Sequence, residues 1–358
     1  MKTMKTTRKN LAVILVLALV LSLMTACGQK TADSGDSKEA ETTEKQQDTS
    51  KPEETSEPEK GTIKIGACPA ASDVPFFVDL GKGFEEGGKK YGADVDVQYT
   101  DRSIEKEISL TDTYLSQGYN AVVMDTVDSA AVSGPAKKAA DVDALFACAD
   151  TIPDEPKLMT VSVSSDNEQG GEACGELMKK YLPDGGKIIM QTFDYSSRTM
   201  DGRYDGFKNA IKDSGLEIVE EVSCDGSREN FQNKLTPILS KYPDVVGIYC
   251  TQGDPAMGAL TAVEGAGLQD KIKIIAFDVD AEIGDKVKNG SAIVAGVAQF
   301  PKEIGMKTIY ELTKAWNTGE ITNEIILLPI LPVEKDTVDE LQADSTAYLE
   351  KYSDYRVD

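Results

Sequence analysis

The sequence predicts an α/β protein of two similar lobes, each a mostly parallel sheet with helices on both faces. Two observations predict it. From Thr62 onward short apolar runs alternate with stretches of helical spacing, and the same βαβ order starts again at Gly186. No fixed-period repeat accompanies that order, which makes two similar domains and not a solenoid. At 358 residues and 40% hydrophobic content, the chain is long enough to bury two cores of ordinary size.

In the first lobe "TIKIGAC" (62–68), "ADVDVQYT" (93–100), "NAVVMD" (120–125) and "ALFACAD" (144–150) read as strands. Between them "FFVDLGKGFEEGGKKYG", "SIEKEISLTDTYLSQG" and "SAAVSGPAKKAAD" read as helices. In the second of these Ile104, Ile108, Leu110 or Thr111, and Leu115 recur at helical spacing. The second lobe has the strands "GKIIMQTFD" (186–194), "LEIVEEVS" (216–223), "DVVGIYCT" (244–251) and "KIKIIAFDVD" (271–280). Its helices run through "GRYDGFKNAIKDSG", "RENFQNKLTPILSKYP" and "PAMGALTAVEGAG". The carboxyl-terminal tail, 334–358, is amphipathic and reads as a terminal helix on one lobe, with partial disorder as the alternative.

The amino terminus has a different composition. Lys2, Lys5, Arg8 and Lys9 precede an apolar run from Leu11 to Leu23, too short and too soon polar for a membrane-spanning helix. Thr25 and Ala26 lead into Cys27, which resembles a bacterial lipobox with Met24 in the usual leucine place. The reading is a lipoprotein signal peptide over 1–26, with Cys27 carrying the lipid; a plain secretory signal is the alternative. Residues 28–60 hold no aromatic and almost no aliphatic side chain, so 27–60 is expected to be a disordered acidic tether. Two acyl chains on Cys27 would hold the protein at the outer face of the cell membrane.

Composition excludes several classes. A net charge of −23 opposes nucleic-acid binding, which needs clustered Lys and Arg. The absence of histidine removes Ser-His-Asp and Cys-His catalysis and the commonest metal ligand. No calcium-loop pattern is present, and neither metal nor cofactor is expected. The five cysteines after Cys27 (Cys68, Cys148, Cys174, Cys224, Cys250) are odd in number and lack a CxxC pair, which reads as unpaired thiols.

Ligands of open parallel sheets bind beyond the carboxyl ends of the strands. Past those ends in the first lobe come Asp73, Phe76 and Phe77, then Asp125 and Asp150. In the second lobe come Asp194, Tyr195 and Arg198, then Asp225, Gln252 and Asp254, and finally Asp278. Carboxylates, an amide and aromatics facing one another suit a polyhydroxylated ligand: carboxylates accept from paired hydroxyls, and aromatic faces cover the C–H side of a ring. Each has a plainer role as well. The aspartates cap helices, Asp201 complements a helix dipole, and a Phe packs. Adjacent helical residues point about 100° apart, so one of Phe76 and Phe77 is expected to pack and the other to face the cleft.

Seven segments carry a family resemblance in order and register: "PFFVDLGKGFEE" (75–86), "VDSAAV" (127–132), "SSDNEQGG" (164–171), "DGRYDGF" (201–207), "QGDPAMGAL" (252–260), "IIAFDVD" (274–280) and "VAQFPKEIG" (297–305). From about Thr62 to about Val333 the chain resembles the pentose/hexose periplasmic binding proteins, the ribose-binding type of ABC-transporter receptor. Repressors of the LacI type share the fold, but they carry a helix-turn-helix where this chain has its signal and tether. The resemblance implies the type 1 periplasmic binding protein fold over 61–333. Its two Rossmann-like lobes would be joined by a three-segment hinge near Asp166, Gln299 and Ile326. Lobe 1 would span 61–165 and 300–325, and lobe 2 166–299 and 326–333.

By position, the resemblance implies ligand contacts from Phe76, Phe77, Asp150, Asp278 and Gln299. The family's asparagine before Pro-Phe-Phe is Val74, with Asp73 one place earlier; its two arginines fall on Thr151 and Asp201. Gln252 replaces an asparagine, and the second-lobe aromatic falls near Gly226. Carboxylates in a desolvated cleft without a cation cost several kcal/mol per unpaired ion. The expected remedy is a substitute arginine, Arg198 or Arg102; a cationic ligand or a bound cation is the alternative. The implied function is a lipid-anchored solute-binding protein of an ABC importer, monomeric, that presents a sugar or polyol to membrane permease subunits. A ligand sensor for a membrane kinase or chemoreceptor is the second reading. A carboxylate-pair glycosidase is the third, which the missing histidine and the hinged layout disfavour.

Overall fold

The structure, a computed structural model, describes residues 61–356. The proposed signal, Cys27 and the tether therefore lie outside the described residues. The first lobe begins β1 (Lys64–Cys68), α1 (Pro75–Tyr91), β2 (Asp94–Val97), α2 (Ile104–Ser116), β3 (Ala121–Met124), α3 (Ser133–Ala140), β4 (Leu145–Ala149) and β5 (Val161–Ser165). The second lobe follows with α4 (Asn167–Tyr181), β6 (Gly186–Phe193), α5 (Arg198–Ile211), β7 (Leu216–Cys224) and α6 (Arg228–Lys241). It continues through β8 (Val245–Cys250), α7 (Gly253–Gly265), β9 (Lys273–Phe277), α8 (Ala281–Lys288) and β10 (Ile293–Ala298). The chain returns to the first lobe for α9 (Pro301–Thr318) and β11 (Glu324–Leu328). It ends on the second with β12 (Leu331–Val333), α10 (Val338–Ala343) and α11 (Ser345–Tyr352).

The sheets are ordered β11-β5-β4-β3-β1-β2 and β12-β10-β9-β8-β6-β7, the same strand order twice. All pairs are parallel except β12 against β10. Helices cover both faces, so the central strands are buried on both sides and read as continuous apolar runs; "AVVM" of β3 is wholly buried. Ser103, Ser197, Ser227 and Asp280 cap the helices they precede by accepting a backbone N–H in the first turn. The order reverses between β1 and β3 and between β6 and β8, which aims the switch points of both sheets at the space between the lobes.

Three crossovers join the lobes: at Asp166, at Gln299–Phe300, and between β11 and β12. The third falls at 329–330, not at Ile326, because β11 keeps pairing with β5 as far as Leu328 opposite Ser165. Residues 326–328 thus belong to the first lobe. The tail forms two short helices whose Val338, Leu341, Tyr348 and Leu349 complete the second-lobe core, while Tyr355 packs against both cores. All five described cysteines are buried free thiols, and burial pushes Cys68, Cys148, Cys174, Cys224 and Cys250 up, away from the reactive thiolate.

Candidate functional site

β4 and β9 hold equivalent places in the two sheets, and each ends in an aspartate in the left-handed region, Asp150 at φ 65° and Asp278 at φ 70°. Aspartate is among the few side chains that tolerate this conformation, and its occurrence at matching strand ends marks a site. Both residues line one cavity between the lobes, of volume ≈ 260 Å³.

Their surroundings differ. Asp278 Oδ1 accepts from Gln299 Nε2 at the second crossover, and its Oδ2 lies 3.8 Å from Arg203 Nη1. Asp150 has its backbone carbonyl bonded by the Ser164 hydroxyl, but its buried Oδ1 has no partner. Burial pushes the Asp150 carboxyl up to about 6; the Arg203 charge pulls it back down and Asp278 adds to the rise. Asp125, behind it, is raised as well, by burial and then by the Asp150 charge, although Ala70 N–H donates to it.

Arg203 is the buried cation of the site, while Arg102 and Lys302 also line the cavity. Arg203 is 2% exposed, donates from Nε to Asn167 Oδ1 and from Nη1 to Thr251 O, both at 2.8 Å, and stands 3.9 Å from the Phe277 ring centre. Close approach of α4 and α5 holds it there: a Cβ added at Gly206 would collide with Glu168 O, and one at Gly171 with Arg203 O. The expectation that the cleft lacks its own cation, to be repaired by Arg198 or Arg102, is therefore corrected: Arg203 supplies one, and of the two expected substitutes Arg102 also lines the cavity. Arg198 does not line the cavity. Its backbone N–H donates to Ser129 Oγ at 3.1 Å and its Nη1 to Pro153 O at 3.3 Å, so it ties the second lobe to the first at the cleft mouth. Beside it Ile152 N–H donates to Thr199 Oγ1 at 3.3 Å.

Of the remaining candidates, Phe76, Phe77, Gln252 and Gln299 line the cavity. The expected division between a packing and a facing phenylalanine does not occur: both are half-buried against the first-lobe core, edge to face with centres 5.3 Å apart, and both reach the cavity. Asp73 is exposed at the rim, 3.9 Å from Arg102, which does line the cavity. Asp201 is exposed on the first turn of α5, outside the cavity, where it serves the helix dipole.

Phe193 and Arg203 are among the lining residues that the sequence reading does not single out. Phe193, at the end of β6, is the second-lobe aromatic and lies against Gly226 (φ 84°), where a Cβ would meet its ring at 3.1 Å. Arg203 had a legible signal: it falls between Met200 and Phe207 on the buried face of α5, where an arginine must have a buried partner.

Asp150 Oδ1, Gln252 Oε1 and Gln299 Oε1, on residues that line this cavity, are buried without partners, and all three are oxygen acceptors. Phenylalanine rings from both lobes stand around them. Such an arrangement favours a ligand that donates hydrogen bonds in several directions and offers an apolar face.

Residues 65–320 match the model of the periplasmic binding protein domain family. The ribose import binding protein of Bacillus subtilis is 29% identical over 301 residues, covering 82% of this chain and 89% of its own. The myo-inositol binding protein of Caulobacter, solved with myo-inositol, is 25% identical with a TM-score of 0.72, covering 79% of this chain and 97% of its own. An ABC transporter solute binding protein from Bacillus halodurans C-125, at 20% identity and a TM-score of 0.73 over 79% of this chain and 98% of its own, shares the fold. These relatives are binding proteins and not enzymes. The chain belongs to the periplasmic binding protein domain family, as a two-lobed binding protein with its cavity between the lobes.

Proposed function

We propose that this protein is the solute-binding component of an ABC importer and that it captures a neutral sugar or polyol between its lobes. The observation that carries the reading is the set of three orphan acceptors on residues that line the cleft together with phenylalanines from both lobes. Hydroxyls of a ring satisfy Asp150, Gln252 and Gln299, while its C–H face lies on Phe76, Phe77 or Phe193. With Arg203 beside Asp278, the site carries its own countercharge and does not require a cationic ligand. The relatives named for ribose and myo-inositol support the same chemistry.

The lobes turn about the three crossovers, and a ligand favours the closed form only through the extra contacts it makes there. Asp150 from one lobe and Asp278 from the other supply such contacts. In this reading the signal over 1–26 is cleaved, Cys27 carries the lipid, and residues 28–60 let the closed form reach a membrane permease. Calorimetric titration with D-ribose, D-allose and myo-inositol tests the central part. Saturable binding that Asp278→Ala removes supports it. Wild-type affinity in Asp278→Ala overturns the assigned site.

A further inference from the structure

The carboxyl-terminal segment belongs to the second lobe by its packing, and yet it reaches the first. Lys288 pairs with Asp339, Gln342 Nε2 donates to Ala281 O at 3.1 Å, and the Tyr348 hydroxyl donates to Pro332 O at 2.7 Å. These bonds fix α10 and α11 to α8 and β12. Two further contacts cross the lobe boundary. The Thr346 hydroxyl donates to Glu303 Oε1 on the first turn of α9, and α9 packs on α1, β4 and β5 of the first lobe. Tyr355, beyond the end of α11, packs against the cores of both lobes. Arg356 Nη1 donates to Glu350 O, Ser353 O and Tyr355 O, which ties the chain end back onto α11 beside that ring.

The place of these contacts decides what they do. Leu341 and Ser345 line the cavity together with Pro301, Lys302 and Glu303 of α9, so the segment meets α9 on the cleft side of the crossovers. Groups on that side separate when the lobes turn apart. Glu303 is 1% exposed, which keeps water from competing for its bond to Thr346. Elsewhere in the cleft Ile152 N–H donates to Thr199 Oγ1 and Arg198 N–H to Ser129 Oγ, each across the boundary. Opening the lobes breaks both sets of bonds. We propose that the carboxyl-terminal segment is a strap that holds the ligand-free lobes together, with Thr346 and Glu303 as its clasp and Tyr355 as its hold on the first lobe. Thr346 and Tyr355 do not line the cavity, so the strap acts on closure and not on the solute. By populating the closed form in advance, it raises the apparent affinity for every solute alike.

Hydrogen–deuterium exchange of the full chain without ligand tests the strap, and its outcome is independent of which solute binds. The Ile152 and Arg198 amides have their acceptors on the opposite lobe and exchange when the lobes part. Thr346→Val keeps the volume of the side chain and removes the hydroxyl. Loss of one bond to a carboxylate is expected to make both amides exchange roughly tenfold faster. Tyr355→Ala speeds them as well. Tyr352→Ala, on the same helix but bonded to Glu340 within the segment, leaves them unchanged. A lower Tm in Thr346→Val with unchanged exchange at Ile152 and Arg198 makes the contact a local tie of the tail and refutes the strap. Equal acceleration in Tyr352→Ala refutes it too, because the cause is then a general loosening of the segment. Wild-type amides without protection at both positions show lobes that stand apart when empty, which also refutes it.

Discussion

Replacing Asp150 with asparagine should make the ligand-free protein more stable and its ligand binding weaker. Asp150 sits at φ 65°, a conformation asparagine tolerates as well as aspartate, so the exchange leaves the backbone unstrained. What changes is the charge. Burial lifts this carboxyl from 3.8 to about 6, and each unit costs about 1.4 kcal/mol of folded-state stability at neutral pH. Asp150 is only partly shielded from the open cleft, and solvent screening brings the cost to about 1–2 kcal/mol. The neutral amide of Asp150→Asn recovers it, raising the Tm of the ligand-free protein by roughly 3 °C for a chain of this size. The ligand loses a hydrogen bond to a charged acceptor, worth about 1.5–3 kcal/mol, so affinity falls roughly ten- to hundredfold. Scanning fluorimetry and calorimetric titration on the same two proteins read both effects. A lower Tm with unchanged affinity would show that Asp150 is a structural residue and that the orphaned oxygen is no binding group.

Other expectations follow from the same geometry. Glu107 is raised to about 7 and Asp150 to about 6, both by burial first, so from about pH 4 to 7 the folded state holds protons that the unfolded chain has released. These two groups therefore make stability fall as pH rises through that window, and urea titrations at pH 5 and 7.5 should show a smaller fall in Glu107→Gln. Ligand affinity runs the other way: hydroxyl donors favour ionised Asp150, so binding at pH 5 is roughly tenfold weaker than at pH 7.5. Arg203→Lys keeps the charge but loses the fork that serves Asn167 and Thr251 together, and should cost about 1–3 kcal/mol in chemical denaturation.

Much of the fold was legible because strands covered on both faces must be apolar from end to end, as in "AVVM" and "KIIAF". β5 was passed over for the opposite reason. Its sequence "VSVSS" carries three fully buried serines, of which Ser164 bonds the Asp150 carbonyl, and serines in a row read as loop. In the site, the strand-end rule brought out Asp150 and Asp278, since both follow directly from where a parallel sheet ends. Arg198 and Arg203 were harder to separate: they lie on one helix, and only the packing of α5 on α4 turns Arg203 inward and leaves Arg198 to bridge the lobes. The phenylalanine pair defied the helical-wheel argument because both rings sit in the first turn, where the core ends and the cavity begins.

The most direct test of the central claim is a thermal-shift comparison of neutral sugars and polyols with amino sugars, amino acids and polyamines. The account predicts a rise in Tm with at least one neutral sugar or polyol, worth about 2.7 kcal/mol at a hundredfold excess over its Kd. A rise with cationic compounds alone would contradict it, and would mean that Arg203 leaves the aspartates of the cleft short of positive charge.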